Sequence, residues 1–133
     1  MILVDTSVWI EVLGDRFGGK RVAFENALAG DDVVLTRFNQ LELLQGTRDE
    51  REWSDLSLYL EDQDYLEPGP DSWVNAARLY FDLRRLGKTV FSPIDCCIAQ
   101  IAIDYDVLLL HRDRDFEIIS QVRPLRQQQL TWP

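Results

Sequence analysis

Soft metal ligands are nearly missing from this chain: its 133 residues include one histidine, His111, and two cysteines, Cys96 and Cys97. Neighbouring cysteines cannot staple a fold to itself, and one histidine cannot complete a structural zinc site. Any metal is therefore expected to be hard and oxygen-ligated. Long apolar runs are also missing. The longest, such as Ile2–Val4 and residues 107–110, fall far short of the roughly 20 residues a membrane helix needs, and Asp5 interrupts the start too early for a signal peptide. A cytoplasmic protein with no membrane association is expected. Repeats and low-complexity tracts are absent as well, and glycine and proline fall singly or in short groups between periodic segments. Lysine is scarce: only Lys20 and Lys88 stand among fourteen basic residues, against twenty-three acidic ones and a net charge of -9. Such a balance argues against binding polyanions through a broad basic face. The arginine forks nonetheless suit phosphate and carboxylate recognition, although arginine is also ordinary solvated surface.

What is present is enough for one core. At 133 residues and 46% hydrophobic content, a single domain spanning 1–133 is expected. Ile2–Val4, Val33–Leu35 and residues 107–110 are short all-apolar runs of the kind that form central parallel strands covered on both faces. Residues 65–66 and 122–125 are weaker strand candidates. Between them lie helical patterns. One has Asp71 as N-cap, an apolar stripe of Trp73, Val74, Ala77, Tyr80 and Phe81, and a stop at Gly87. Another opens with Ser92 as cap, Pro93 at its first position and Asp95 in capping-box position, and runs to about Asp104. Alternating strands and helices imply an open, mostly parallel α/β sheet with right-handed crossovers. In such sheets ligands bind at the carboxyl ends of the strands.

Four carboxylates are delivered to that edge. Asp5 directly follows the first strand, where Asp5, Thr6 and Ser7 would also serve as ordinary helix caps. Glu42 sits on the shoulder of a stripe formed by Phe38, Leu41 and Leu44, where a carboxylate must either reach water or find a cation. Asp95 opens a helix that returns antiparallel to strand 107–110, so it lies above that strand's carboxyl end. Asp113 follows the same strand by three residues. Asp115 is two further on, and either could cap the helix near Phe116.

Each acid has a structural explanation of its own, but four elements placing acids on one edge point to a shared role. Clustered anions repel and raise one another's pKa unless cations intervene. Oxygen ligands in partial number suit Mg²⁺ or Mn²⁺, which keep waters and complete their shells with phosphate oxygens. The implied chemistry is metal-assisted phosphodiester hydrolysis, in which a metal activates water and no histidine base is needed. His111 is then expected to serve packing.

The segments 1–10 (MILVDTSVWI), 39–46 (NQLELLQG), 95–99 (DCCIA) and 108–116 (LLLHRDRDF) together resemble the PIN-domain ribonucleases, specifically the VapC-like toxins of type II toxin-antitoxin systems. They span nearly the whole chain, and their order is more specific than any one of them. The resemblance implies a five-stranded parallel sheet flanked by helices as an α/β/α sandwich. It implies Mg²⁺ or Mn²⁺ held by Asp5, Glu42, Asp95 and Asp113, with Asp115 as an auxiliary and a supporting hydroxyl from Thr6 or Ser7. It further implies cleavage of RNA, often a structured one such as transfer RNA, by a homodimer that a cognate antitoxin neutralises. His111 stands where such proteins often carry Thr or Ser, and Cys97 where an aliphatic residue is usual. Arg84, Arg85, Lys88, Arg112 and Arg114 are the candidate phosphate contacts. Trp9 could stack a base or fill the core.

Three other readings compete. A receiver-like phosphoacceptor would need a second acid beside Asp5 and a lysine after a late strand, and a haloacid-dehalogenase-type phosphatase would need an acid where Ser7 stands. A non-catalytic RNA-binding or interaction module is opposed only by the complete acid set.

Overall fold

The structure, a computed structural model, describes residues 1–90 and 92–132. In chain order the elements are β1 (Ile2–Val4), α1 (Thr6–Leu13), α2 (Gly19–Leu28), β2 (Val33–Leu35), α3 (Arg37–Gln45), α4 (Glu50–Glu61), β3 (Asp64–Tyr65), α5 (Pro70–Arg85), α6 (Pro93–Tyr105), β4 (Leu108–His111), α7 (Arg114–Ser120) and β5 (Gln127–Gln129). The five strands form one sheet in the order β3-β2-β1-β4-β5, and every pairing is parallel.

Alternation along the short strands divides the apolar residues between two layers. Leu3, Val34 and Leu109 face one side, where Leu79 and Leu83 of α5, Ile98 and Ile101 of α6, and Phe116 and Ile119 of α7 cover them. Ile2, Val4, Leu35 and Leu110 face the other, against Val8, Trp9 and Val12 of α1, Phe24 of α2, Leu43 of α3 and Leu60 of α4. The result is the α/β/α sandwich that the all-apolar strands imply, since such strands are stable only when covered on both faces. Among the described residues no helix is long and apolar enough to cross a membrane.

Two features differ from the sequence reading. The helix expected to begin at Asp71 is capped by Gly69 and starts with Pro70. Its buried face is Ser72, Ala76, Leu79 and Leu83, not the stripe of Trp73, Val74, Ala77, Tyr80 and Phe81. Both faces are apolar. The smaller one wins because Ser72 and Ala76 let α6 approach closely, and the Ser72 hydroxyl is satisfied by donating to Asp104 Oδ2 at 2.6 Å. Trp73, Val74 and Phe81 are left exposed. The last strand lies not at 122–125 but at Gln127–Gln129, an all-glutamine edge strand. Leu125 packs into the core from the preceding turn, and polar side chains on the edge discourage pairing with another chain.

The crossovers fix where the acids go. β2 and β4 flank β1 on opposite sides, so the strand order reverses between β1 and β4, and their carboxyl ends border a crevice. Val4 pairs with Leu110, and the Asp5 amide extends the ladder by donating to the Leu110 carbonyl at 2.9 Å. Asp106 takes a left-handed conformation (φ 51°) to end α6 and turn the chain into β4. An aspartate tolerates that region better than most side chains.

Candidate metal centre at the carboxyl end of the sheet

Asp5 leaves β1 in an extended conformation and caps α1, its Oδ2 accepting from the Ser7 amide at 3.0 Å and the Ser7 hydroxyl at 2.6 Å. The same hydroxyl accepts from the Arg112 amide at 2.9 Å. Ser7 thus ties the end of β1 to the loop after β4. Asp5 is only 5% exposed. Burial raises its pKa and the Ser7 bonds pull it down, while Asp113 adds to the rise; the net direction is upward.

Glu42 projects from α3, which Thr36 caps through a reciprocal pair of bonds with Asn39. Its Oε1 accepts from the Thr6 hydroxyl at 3.1 Å. Asn39 lies behind both acids, its Nδ2 donating to Thr6 Oγ1 at 3.0 Å and, over 3.5 Å, to Asp5 Oδ1. Both hydroxyls named from the sequence are therefore used, each on a different carboxylate. Partial burial raises the Glu42 pKa despite the Thr6 bond, and the charges of Asp5 and Asp113 push the same way. The expected stripe beside it is altered: Leu41 is exposed, whereas Asn39 and Leu43 are the buried residues of α3.

Asp95 sits in the first turn of α6. The expected capping box does not form: Ser92 alone caps the helix, accepting from the Ile94 amide. Among the described residues nothing donates a hydrogen bond to the Asp95 carboxylate. Burial, followed by the charges of Asp113, Asp5, Asp115 and Glu42, raises its pKa to about 8. A carboxylate held half-buried among four others, with no donor among the described residues, carries a charge that a cation could offset.

Asp113 is the N-cap of α7, accepting from the Asp115 amide at 3.0 Å. Its own amide donates to His111 Nδ1 at 3.1 Å. Because that nitrogen accepts, the His111 proton lies on Nε2, which donates to Gln127 Oε1 at 2.6 Å. His111 is fully buried at the end of β4, and it fixes the Asp113 backbone where a Thr or Ser was the expected residue type. Asp95, Asp113 and Asp115 each bring a carboxylate oxygen within 4.8 Å of the other two. The tightest oxygen group therefore includes Asp115, read from the sequence only as an auxiliary. Asp5 and Glu42 flank this group and act on it through charge. Oxygens alone, from half-buried and buried carboxylates, match a small hard divalent cation.

The cationic candidates are distributed unequally. Arg84 and Arg85 are exposed and stack over Tyr80 and Phe81, each 5.6 Å from the ring centre. Lys88 donates to Gln121 Oε1 at 2.7 Å. Arg112 is committed to Glu11 and to the Leu130 carbonyl. Arg114 is exposed beside Asp113, with no ion-pair partner among the described residues. Trp9 is core, edge-on to Phe24 and Tyr59.

The sequence did not single out Asn39, which contacts both Asp5 and Thr6. The available signal was a polar residue one turn before Glu42 on the same helix. The Ser7 bridge leads to a direct expectation: Ser7→Ala should weaken Mn²⁺ affinity by about 10–100-fold, the usual cost of losing a bond that orients a ligand. Titration calorimetry measures this, and unchanged affinity would show that the bridge does not orient Asp5.

An all-parallel sheet between helical layers, with acids gathered where its strand order reverses, defines an α/β protein with an acidic cleft at its switch point. The PIN domain family model matches residues 2–121, and the chain belongs to the PIN-domain family. It is 32% identical over 133 residues to the VapC ribonuclease Mb1587 of Mycobacterium bovis, covering 95% of this chain and 96% of that protein. The structure of VapBC2 from Rickettsia felis, bound to a DNA fragment from their promoter, shares the fold with a TM-score of 0.78 and 15% identity, over 98% of this chain and 100% of that one. VapBC-5 from Mycobacterium tuberculosis, a member of the VapBC family of toxin-antitoxin systems, gives a TM-score of 0.65 at 22% identity, over 96% and 95% of the two chains.

Proposed function

We propose that this chain is a Mg²⁺- or Mn²⁺-dependent endoribonuclease of one domain, acting as the toxin of a toxin-antitoxin pair. The observation that carries the reading is the oxygen group of Asp95, Asp113 and Asp115, flanked by Asp5 and Glu42. The relatives named VapC ribonuclease support the same activity.

Asp5, Glu42, Asp95 and Asp113, with Asp115, would hold the ion. When bound, it supplies Lewis acidity, activating water and offsetting charge on a phosphodiester. The protein's own contribution is orientation. Ser7 and Asn39 hold Asp5, Thr6 holds Glu42, and His111 holds the Asp113 backbone. His111 does not act as a base, because it is buried and both ring nitrogens are engaged. Arg84, Arg85 and Arg114 remain the best placed to meet RNA phosphates.

A groove of about 550 Å³ runs beside the cleft, with Ile10, Leu13, Leu43, Leu56 and Tyr59 among its lining and Glu42 at its wall. An apolar groove of this kind suits the amphipathic helix of an antitoxin. A basic side chain on that helix would meet Glu42 and compete for the cation's place. The homodimer has a face available in Trp73, Val74 and Phe81, with Phe38 edge-on to Trp73 at 5.8 Å. Light scattering should give twice the 15.5 kDa chain mass, and Trp73→Glu should halve it. An unchanged mass for the substituted protein would move the interface elsewhere.

The direct test of the activity is incubation of the purified protein with transfer RNAs and other structured RNAs in Mg²⁺, Mn²⁺ or EDTA, beside Asp5→Asn. Cleavage that needs a divalent ion and is lost in Asp5→Asn is the expected result. Cleavage persisting in EDTA would overturn the mechanism, and binding without turnover across all metals and RNAs would favour a non-catalytic module.

A further inference from the structure

We infer that Glu11 and Trp132 are positioning residues for the acidic cleft, acting through Arg112; the inference rests on the function proposed above. Arg112 lies between His111 and Asp113, and its amide reaches Asp5 through one hydroxyl: Arg112 N–H donates to Ser7 Oγ at 2.9 Å, and Ser7 Oγ donates to Asp5 Oδ2 at 2.6 Å. Whatever fixes the Arg112 backbone therefore fixes Ser7, Asp5 and the start of the Asp113 loop together.

The Arg112 side chain is held on three sides. Its Nε pairs with Glu11 Oε2, its Nη1 donates to the Leu130 carbonyl at 2.7 Å, and its guanidinium lies over the Trp132 ring, 4.9 Å from the centre. Glu11 is the hub of the cluster, also accepting from the Trp132 indole and pairing with Lys20 at 3.5 Å. Leu130 is itself pinned to β4, since its amide donates to the His111 carbonyl at 2.8 Å and its side chain is buried. The Arg112 and Glu11 side chains are only 27% and 33% exposed, so salt screens this pair less than a surface pair. A planar guanidinium with its Nε and Nη1 both engaged and an indole against its face is fixed in orientation. Held this way it is not a cation free to meet phosphate, the role for which the sequence offered it as one candidate.

The two roles predict opposite outcomes. For Arg112→Ala, Glu11→Ala and Trp132→Phe, kcat and KM on a cleaved RNA and Mn²⁺ affinity by calorimetry should be measured on protein shown by circular dichroism to be folded. Trp132→Phe keeps a smaller aromatic face and removes the indole donor, so it reports even if the alanine variants lose structure. Positioning predicts a loss of about 10-fold or more in both kcat and Mn²⁺ affinity, with KM unchanged. It also predicts that the Glu11→Ala/Arg112→Ala pair is no worse than Arg112→Ala alone, and that Glu11→Asp recovers part of the loss. A phosphate-binding Arg112 would instead raise KM when removed, leave Mn²⁺ affinity alone, and bind RNA more tightly when Glu11→Ala frees it. That pattern, or variants indistinguishable from wild type, would overturn the inference while leaving the ribonuclease reading intact. A wild-type protein that neither binds Mn²⁺ nor cleaves RNA would overturn the reading on which it rests.

Discussion

Asp95→Asn is expected to lower divalent-dependent RNA cleavage by about 10²–10³-fold, the scale on which a single electrostatic contributor to a transition state is lost. Asp95 differs from the other acids in having no structural task. Asp5 and Asp113 cap helices, and Glu42 accepts from Thr6, so substituting any of them also disturbs local structure. Asp95 caps nothing; Ser92 has that task. Asparagine keeps the shape and deletes the charge, so α6 should form as before and the lost activity can be assigned to the cleft. Measured turnover at saturating Mg²⁺, with far-ultraviolet circular dichroism as the control for folding, checks this. Activity within a few-fold of wild type would mean that Asp95 is a bystander.

The second large effect concerns stability without metal. The folded-state pKa of Asp95, at about 8, lies above its value in the unfolded chain. The native state therefore retains a proton that the unfolded state has lost at any pH between the two. Stability from this group is fully present below about pH 4 and is lost as the pH rises towards 8. Asp5 and Glu42 are shifted in the same direction. Each unit traversed costs at most about 1.4 kcal/mol per group, and partial exposure of Asp95 reduces this. In EDTA, a net loss of about 1–2 kcal/mol between pH 5 and pH 8 is expected. Asp95→Asn should flatten that slope and be the more stable protein at pH 8. A divalent cation at about 100 times its dissociation constant should return about 2.7 kcal/mol to the wild type, and less to the variant. Urea melts across this pH range measure both effects. Stability that rises with pH in EDTA would show that the carboxylates are compensated by contacts within the protein.

That the acids gather at one edge of the sheet was legible in the sequence for a physical reason. Asp5 and Asp113 follow short apolar strands, and a parallel sheet places the residues after its strands on one edge. Asp95 followed from the antiparallel return of its helix. The partnering of these acids was not legible. The Asn39 bonds to Thr6 and Asp5 join residues more than thirty positions apart, as tertiary packing can and local pattern cannot. The buried face of α5 was misread because two apolar stripes compete on that helix, and the close approach of α6 selects the one with small residues. The all-glutamine β5 has no apolar pattern to announce a strand; it forms because β4 offers an open edge.

A divalent-cation site formed by these carboxylates would show itself in crystals soaked in Mn²⁺, through the metal's anomalous scattering. The expected result is a peak in the cleft, about 2.0–2.2 Å from carboxylate oxygens of Asp95 and Asp113, that disappears in Asp95→Asn. A cleft without a peak at saturating Mn²⁺, or a peak that survives the substitution unchanged, would contradict it.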